Sequence, residues 1–168
     1  MNDATLHNLR SVFTLYAAAN RQCFTYAQKA KDEICPNASN LFKALTRSYS
    51  IQSASMLRTA GGIHDTKDNI RQSLADGLGH LLAILPDYIK QAEEEGADPA
   101  CISFKRSQGS GQSQVDLLEK ALDQLEKGKD CTLEELHVCS ICGYLVEGEP
   151  LDTCPNCGVS EKLIPAVE

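Results

Sequence analysis

"VCSICGYLVEGEPLDTCPNCG", Val138 to Gly158, holds two Cys-x-x-Cys pairs, Cys139/Cys142 and Cys154/Cys157, separated by eleven residues. Four thiolates converging from two hairpin-like knuckles make a tetrahedral sulfur site suited to iron or zinc. Gly143 and Gly158 each follow the second cysteine of a knuckle. A glycine there lets the backbone turn so that amide N–H groups point at sulfur, and such bonds tune a metal's potential. Spacing alone also permits zinc acting as a staple for a piece of chain too small to fold unaided.

The rest of the chain has a different composition. Its 168 residues suffice for one ordinary domain, or one domain with a small appendix. The apolar fraction is 42%, with no Trp, four Phe and five Tyr, so Leu, Ile and Ala must fill the core, which suits helices. A net charge of −7 leaves no basic face to neutralise phosphates, which argues against nucleic acid as a partner. The start "MNDATLHNLR" lacks the basic and apolar regions of a signal peptide. The run "LLAILP" ends at Pro86, well short of a membrane span. A soluble, cytoplasmic protein is expected. Of its eight cysteines, the four outside the pairs, Cys23, Cys35, Cys101 and Cys131, read as small hydrophobes.

Working back toward the N-terminus, four amphipathic helices can be read. Thr5 to Ile34 carries Leu6, Leu9, Phe13, Tyr16, Asn20, Phe24 and Ala27 in steps of three and four. A second helix lines up Leu41, Leu45, Tyr49, Gln52 and Met56 and ends at Gly61-Gly62. Asp65 or Thr66 caps a third, which carries Ile70, Leu74, Gly77, Leu81, Leu85 and Tyr88 and is interrupted at Pro86. The fourth runs from about Pro99 to Lys127. The reading is a four-helix bundle over residues 1–132 and a small four-cysteine domain over 133–168. The fourth helix contains "QGSGQSQ", Gln108 to Gln114, although each glycine inside a helix costs roughly 1 kcal/mol relative to alanine.

A helical bundle followed by knuckles of the form "CGYLVEGE…CPNCG" resembles the rubrerythrin family, a ferritin-like bundle with a C-terminal rubredoxin-like domain. "ASNLFKAL", "PDYIKQAEEEG" and "LLEKALDQLEKGKD" resemble the corresponding stretches of that family, so the likeness spans nearly the whole chain. The resemblance implies one iron in the four-cysteine site of Cys139, Cys142, Cys154 and Cys157. It further implies two irons held in the bundle by carboxylates and histidines, used to reduce hydrogen peroxide. The family's helix-one Glu falls here on Tyr16, its helix-two pair on Tyr49 and Gln52, its helix-three pair on Gly77 and His80, and its helix-four pair on Gly111 and Gln114. None of these is a carboxylate, so no di-iron centre and no catalytic residue are expected. Two positions have grown to Tyr and two have shrunk to Gly, a volume-conserving exchange that cores tolerate.

The function expected is one-electron transfer on a rubredoxin-type iron site, with the bundle as a dimerisation or docking scaffold. A redox protein or larger redox enzyme would be the partner, and a homodimer the assembly. Two alternatives stand beside it: a peroxide reductase of ordinary rubrerythrin type, and a non-redox adaptor whose knuckles hold zinc. Whether the bundle closes within one chain or by exchange between two is open at this level. His7, His64 and His137 read as surface residues.

Overall fold

The computed structural model describes residues 1–149 and 151–167. It divides into two compact units, Met1–His64 and Asp65–Glu168. The first is a helical hairpin of α1 (Asp3–Asp32) and α2 (Pro36–Thr59). Asn2 starts α1 by accepting the Thr5 N–H at 2.9 Å, and Lys29 and Lys31 sit in the last turn, where a cation favours the helix dipole. Pro36 opens α2 at a position where its missing N–H costs nothing.

Small buried residues on α1, Cys23, Ala27 and Ala30, let the two helices lie close. Side chains then stitch one backbone to the other. Ser39 Oγ donates to the Ala27 carbonyl at 2.9 Å, and Asn20 Nδ2 to the Thr46 carbonyl at 2.6 Å. Between the helices Ile34 has φ of 59°, a left-handed conformation that costs a β-branched residue about 1–2 kcal/mol.

In the second unit Asp65 caps α3 (Thr66–Gln72) by accepting the Asp68 N–H at 3.0 Å. The chain continues through a π-helical turn, Ser73–Gly79, into α4 (His80–Glu94). The irregularity read at Pro86 therefore lies about two to three and a half turns earlier, and α4 runs through the proline. The π-turn brings the Leu74 carbonyl to 2.7 Å from where a Cβ at residue 79 would stand, so Gly79 permits it.

The helix α5 (Asp98–Glu126) runs unbroken through both glycines of "QGSGQSQ". It packs against α4 through Leu85, Ala92, Cys101 and the Tyr88–Phe104 pair, whose ring centroids are 5.8 Å apart. Arg71 of α3 reaches Glu126 at 2.7 Å. Among the described residues no helix is long and apolar enough to cross a membrane.

After α5 the same unit continues into β1 (Leu136–Val138) and β2 (Leu145–Glu147), an antiparallel pair in the register His137 opposite Val146. Its small core is Cys139, Val146, Cys154 and Ile164, with Tyr144 and Val159 against it. The C-terminal segment closes on the pair through Val138 N–H to the Pro165 carbonyl and Val167 N–H to the Leu136 carbonyl. His137 is not the surface residue its polarity implied. It is 6% exposed, its Nε2 lies 3.6 Å from a Glu135 carboxylate oxygen, and no described residue bonds its Nδ1. His7 and His64 are exposed.

Candidate metal centre

Each knuckle is the same short turn. In the first, Gly143 N–H donates to the Cys139 carbonyl and Cys139 N–H to the Tyr144 carbonyl; in the second, Gly158 pairs with Cys154 and Cys154 with Val159. Closing that turn needs a left-handed residue after the second cysteine. Gly143 has φ of 76° and Gly158 φ of 74°.

The turns bring the four sulfurs of Cys139, Cys142, Cys154 and Cys157 within 4.8 Å of one another. The Cys139–Cys157 and Cys142–Cys154 pairs stand 3.6 Å apart. A tetrahedral ion with metal–sulfur bonds of ~2.3 Å needs sulfurs about 3.8 Å apart, so the donor set fits one such ion. Four protein ligands fill the tetrahedron and leave no open position for a substrate.

Backbone amides aim at the sulfurs. Those of Ile141 and Cys142 serve Cys139, those of Asn156 and Cys157 serve Cys154, and that of Val159 serves Cys157. Burial alone would push the Cys139 thiol up, but its two amides and the neighbouring thiols outweigh it and hold the group at about 7. Burial drives Cys154 upward, and with the other three thiols it drives Cys157 up to about 12. Crowded thiols cannot all ionise together; a bound cation removes that conflict.

The knuckles are seated on α5, and the seat is "QGSGQSQ". Ser110 Oγ donates to the Cys142 carbonyl at 2.5 Å, and Ser113 Oγ accepts the Leu145 N–H at 3.0 Å. Asn156 Nδ2 donates to the Arg106 carbonyl at 2.7 Å. Lys120 holds Glu147 of β2 at 2.7 Å. A Cβ on Gly109 would collide with the Asn156 amide, and one on Gly111 would come within 2.9 Å of Leu82 on α4. Both glycines thus have a reason inside their own unit. Beside Cys142 the seat leaves an open cleft of about 300 Å³, lined in part by Arg106, Ser107, Gln114 and Ile141.

The other positions singled out in the sequence fall as follows. Tyr16 and Tyr49 face each other across the α1–α2 hairpin with ring centroids 5.7 Å apart, and Gln52 Nε2 donates to Ser48 Oγ. Gly77 lies in the π-turn with open space where its side chain would be, and His80 is exposed at the start of α4. Gln114 is half-buried on α5. Cys23 and Cys101 are buried, whereas Cys35 is exposed and Cys131 half-buried. The seat residues Ser110, Ser113, Asn156 and Lys120 were not foreseen; the two serines one turn apart beside helix glycines were the available signal.

Helices of this arrangement followed by a two-stranded domain with a closed four-sulfur site define a helical protein with a rubredoxin-like metal domain. Residues 137–163 match the model of the rubrerythrin rubredoxin-like domain. Rubrerythrin-2 of Clostridium acetobutylicum is 22% identical over 174 aligned residues, covering 95% of both chains. Nigerythrin of Nitratidesulfovibrio vulgaris is 31% identical over 72 residues, 43% of this chain and 34% of that protein. Solved structures of nigerythrin in partially reduced and fully reduced, all-ferrous states share the fold with a TM-score of 0.54 at 21% identity, over 99% of this chain and 88% of theirs. These similarities support the rubrerythrin family for this chain, and its fold is the one expected: ferritin-like helices followed by a rubredoxin-like domain.

Proposed function

We propose that the protein carries one electron on a single iron held by Cys139, Cys142, Cys154 and Cys157, with its helices serving as a dimerisation or docking scaffold and holding no di-iron centre. The observation that carries this reading is the closed four-sulfur site with backbone amides aimed at its thiolates. Such a site has no place for a substrate on the metal, and its amides favour the added negative charge of a reduced state. Iron, when bound there, supplies a one-electron couple. Iron rather than zinc is supported by the all-ferrous state named for nigerythrin, which shares the fold.

The absence of carboxylates at Tyr16, Tyr49, Gln52, Gly77, His80, Gly111 and Gln114 supports a metal-free bundle. The half-exposed Ile141 and the cleft beside Cys142 leave one side of the centre open to a redox protein partner. A homodimer in the cytoplasm completes the proposal.

The test is metal content and visible spectrum of native protein purified without oxygen. One iron per chain, coloured when oxidised and bleached by a one-electron reductant, is the expected result. About three irons per chain would overturn the metal-free bundle. One zinc and no colour would overturn the electron carrier and leave an adaptor with a structural ion.

A further inference from the structure

Ser110 stands where α5 meets both knuckles, and it is only 4% exposed. Its hydroxyl donates to the Cys142 carbonyl of the first knuckle and accepts from Asn156 Nδ2 of the second at 3.1 Å. The same Asn156 amide donates to the Arg106 carbonyl of α5, while the Asn156 backbone N–H serves Cys154. One hydroxyl and one amide thereby tie both halves of the metal site, 32 and 46 residues along the chain from Ser110, to the same helix.

We propose that Ser110 and Asn156 are positioning residues that clasp the two knuckles onto α5 and raise the reduction potential of the centre. The donors form a continuous series. The Asn156 amide feeds Ser110, Ser110 feeds the Cys142 carbonyl, and the N–H of that same peptide unit, on Gly143, feeds the Cys139 carbonyl at 2.8 Å. Each donor polarises the next in a partly buried site, and the series holds in place the turns whose Ile141, Cys142 and Asn156 backbone N–H groups point their positive ends at the Cys139 and Cys154 sulfurs. When a one-electron reductant adds an electron, no bond to cysteine breaks and the site gains one negative charge. Dipoles fixed with their positive ends toward it favour that state.

Gly109 belongs to the clasp by what it lacks. A methyl group there would collide with the Asn156 amide, which is pinned by two hydrogen bonds and cannot swing aside without breaking them. Gly109→Ala thus opens the clasp without removing a polar atom, while alanine itself favours the helix. That separates loss of the clasp from loss of the fold.

The proposal rests on iron in the four-cysteine site, so its test has two arms on the full chain. In zinc-loaded protein, which needs no redox metal, amide exchange across 139–144 and 154–159 should quicken at least tenfold in Ser110→Ala, Asn156→Ala and Gly109→Ala. Ser103→Ala, whose hydroxyl only returns to the Pro99 carbonyl of its own helix, should leave it unchanged. In iron-loaded protein, Ser110→Ala should lower the potential enough to shift the oxidised-to-reduced ratio about tenfold at fixed poise, about 59 mV for one electron. The Ser110→Ala/Asn156→Ala pair should move it no further than the larger single change. Unchanged exchange in all three variants would overturn the clasp itself. Quickened exchange with an unchanged or raised potential would overturn its role in tuning. Failure of the full chain to load iron at all would instead strike the electron-carrier reading and leave the zinc arm standing.

Discussion

Cys139 to Tyr144 and Cys154 to Val159 trace one turn twice, with matching hydrogen bonds and with φ of 76° and 74° at the glycines. Their surroundings differ. The first knuckle meets α5 through a backbone carbonyl, that of Cys142, and through Leu145 just beyond it. The second meets it through one side chain, Asn156. Their first thiols differ as well: amides and neighbouring thiols outweigh burial and bring Cys139 below its ordinary value, whereas burial raises Cys154. The repeated part supplies the geometry a tetrahedral ion demands. The unrepeated part comes from a helix outside the motif, and it orients the site in the molecule.

The hardest way to break the symmetric half of this comparison is to remove a ligand. Cys139 and Cys154 are almost fully buried, and the small core of the domain is built around them. Binding of a structural ion by such a short segment supplies on the order of 10 kcal/mol of its folding free energy. Cys139→Ala and Cys154→Ala should each lose the ion and leave residues 137–167 open to protease and to rapid amide exchange, with helical circular dichroism retained. Survival of one variant with its ion would show that the knuckles are not equivalent as ligands.

A finer cut compares the two glycines. Gly143 and Gly158 have open space around an added Cβ, so only the backbone conformation resists substitution. Alanine at either should cost about 1–2 kcal/mol, the left-handed penalty for an L-residue. Equal losses in thermal unfolding of the zinc-loaded domain would sharpen the equivalence of the turns. A difference above about 1 kcal/mol would mean that the seat on α5 already acts on the first turn.

The four-cysteine cluster was legible because Cys-x-x-Cys spacing is local: two residues between thiols fix a turn whatever lies elsewhere. The long helices were legible for the same reason, through periodic Leu, Phe and Tyr. What escaped was decided at a distance. Gly109 and Gly111 read as defects in a helix, and no pattern within α5 reveals Asn156 or Leu82 as their neighbours. The irregularity in the third helical run was read at Pro86, where a ring blocks a hydrogen bond. It occurs at the Gly79 turn, where a carbonyl must come close. His137 looked exposed because it is polar, but its place opposite Val146 in the strand pair turns it inward. Positions 16, 49, 52, 77, 80, 111 and 114 were legible only through the family resemblance, since nothing in their own spacing marks them.

The smallest effect expected lies at the outer edge of the seat, where Lys120 on α5 holds both carboxylate oxygens of Glu147 at 2.7 Å. The Lys120 ammonium, helped by the Glu134 backbone N–H, keeps the Glu147 carboxyl below its ordinary value of 4.5. A carboxylate depressed in the folded state stabilises that state fully above its unfolded pKa, and the contribution fades as pH falls through the lower folded value. The pair therefore helps hold β2 to α5 at neutral pH and ceases to do so in acid. Lys120→Met should quicken amide exchange at Leu145–Glu147 at pH 7, modestly, because exposed ion pairs contribute little. As pH falls below about 4 the gap between parent and variant should close. Proton competition for the thiolates also rises in acid, but it is common to both proteins and cancels in their difference. A gap that stays constant across that range would mean the lysine acts through its aliphatic stem alone, leaving Ser110, Ser113 and Asn156 as the polar attachments of the knuckles to the helix.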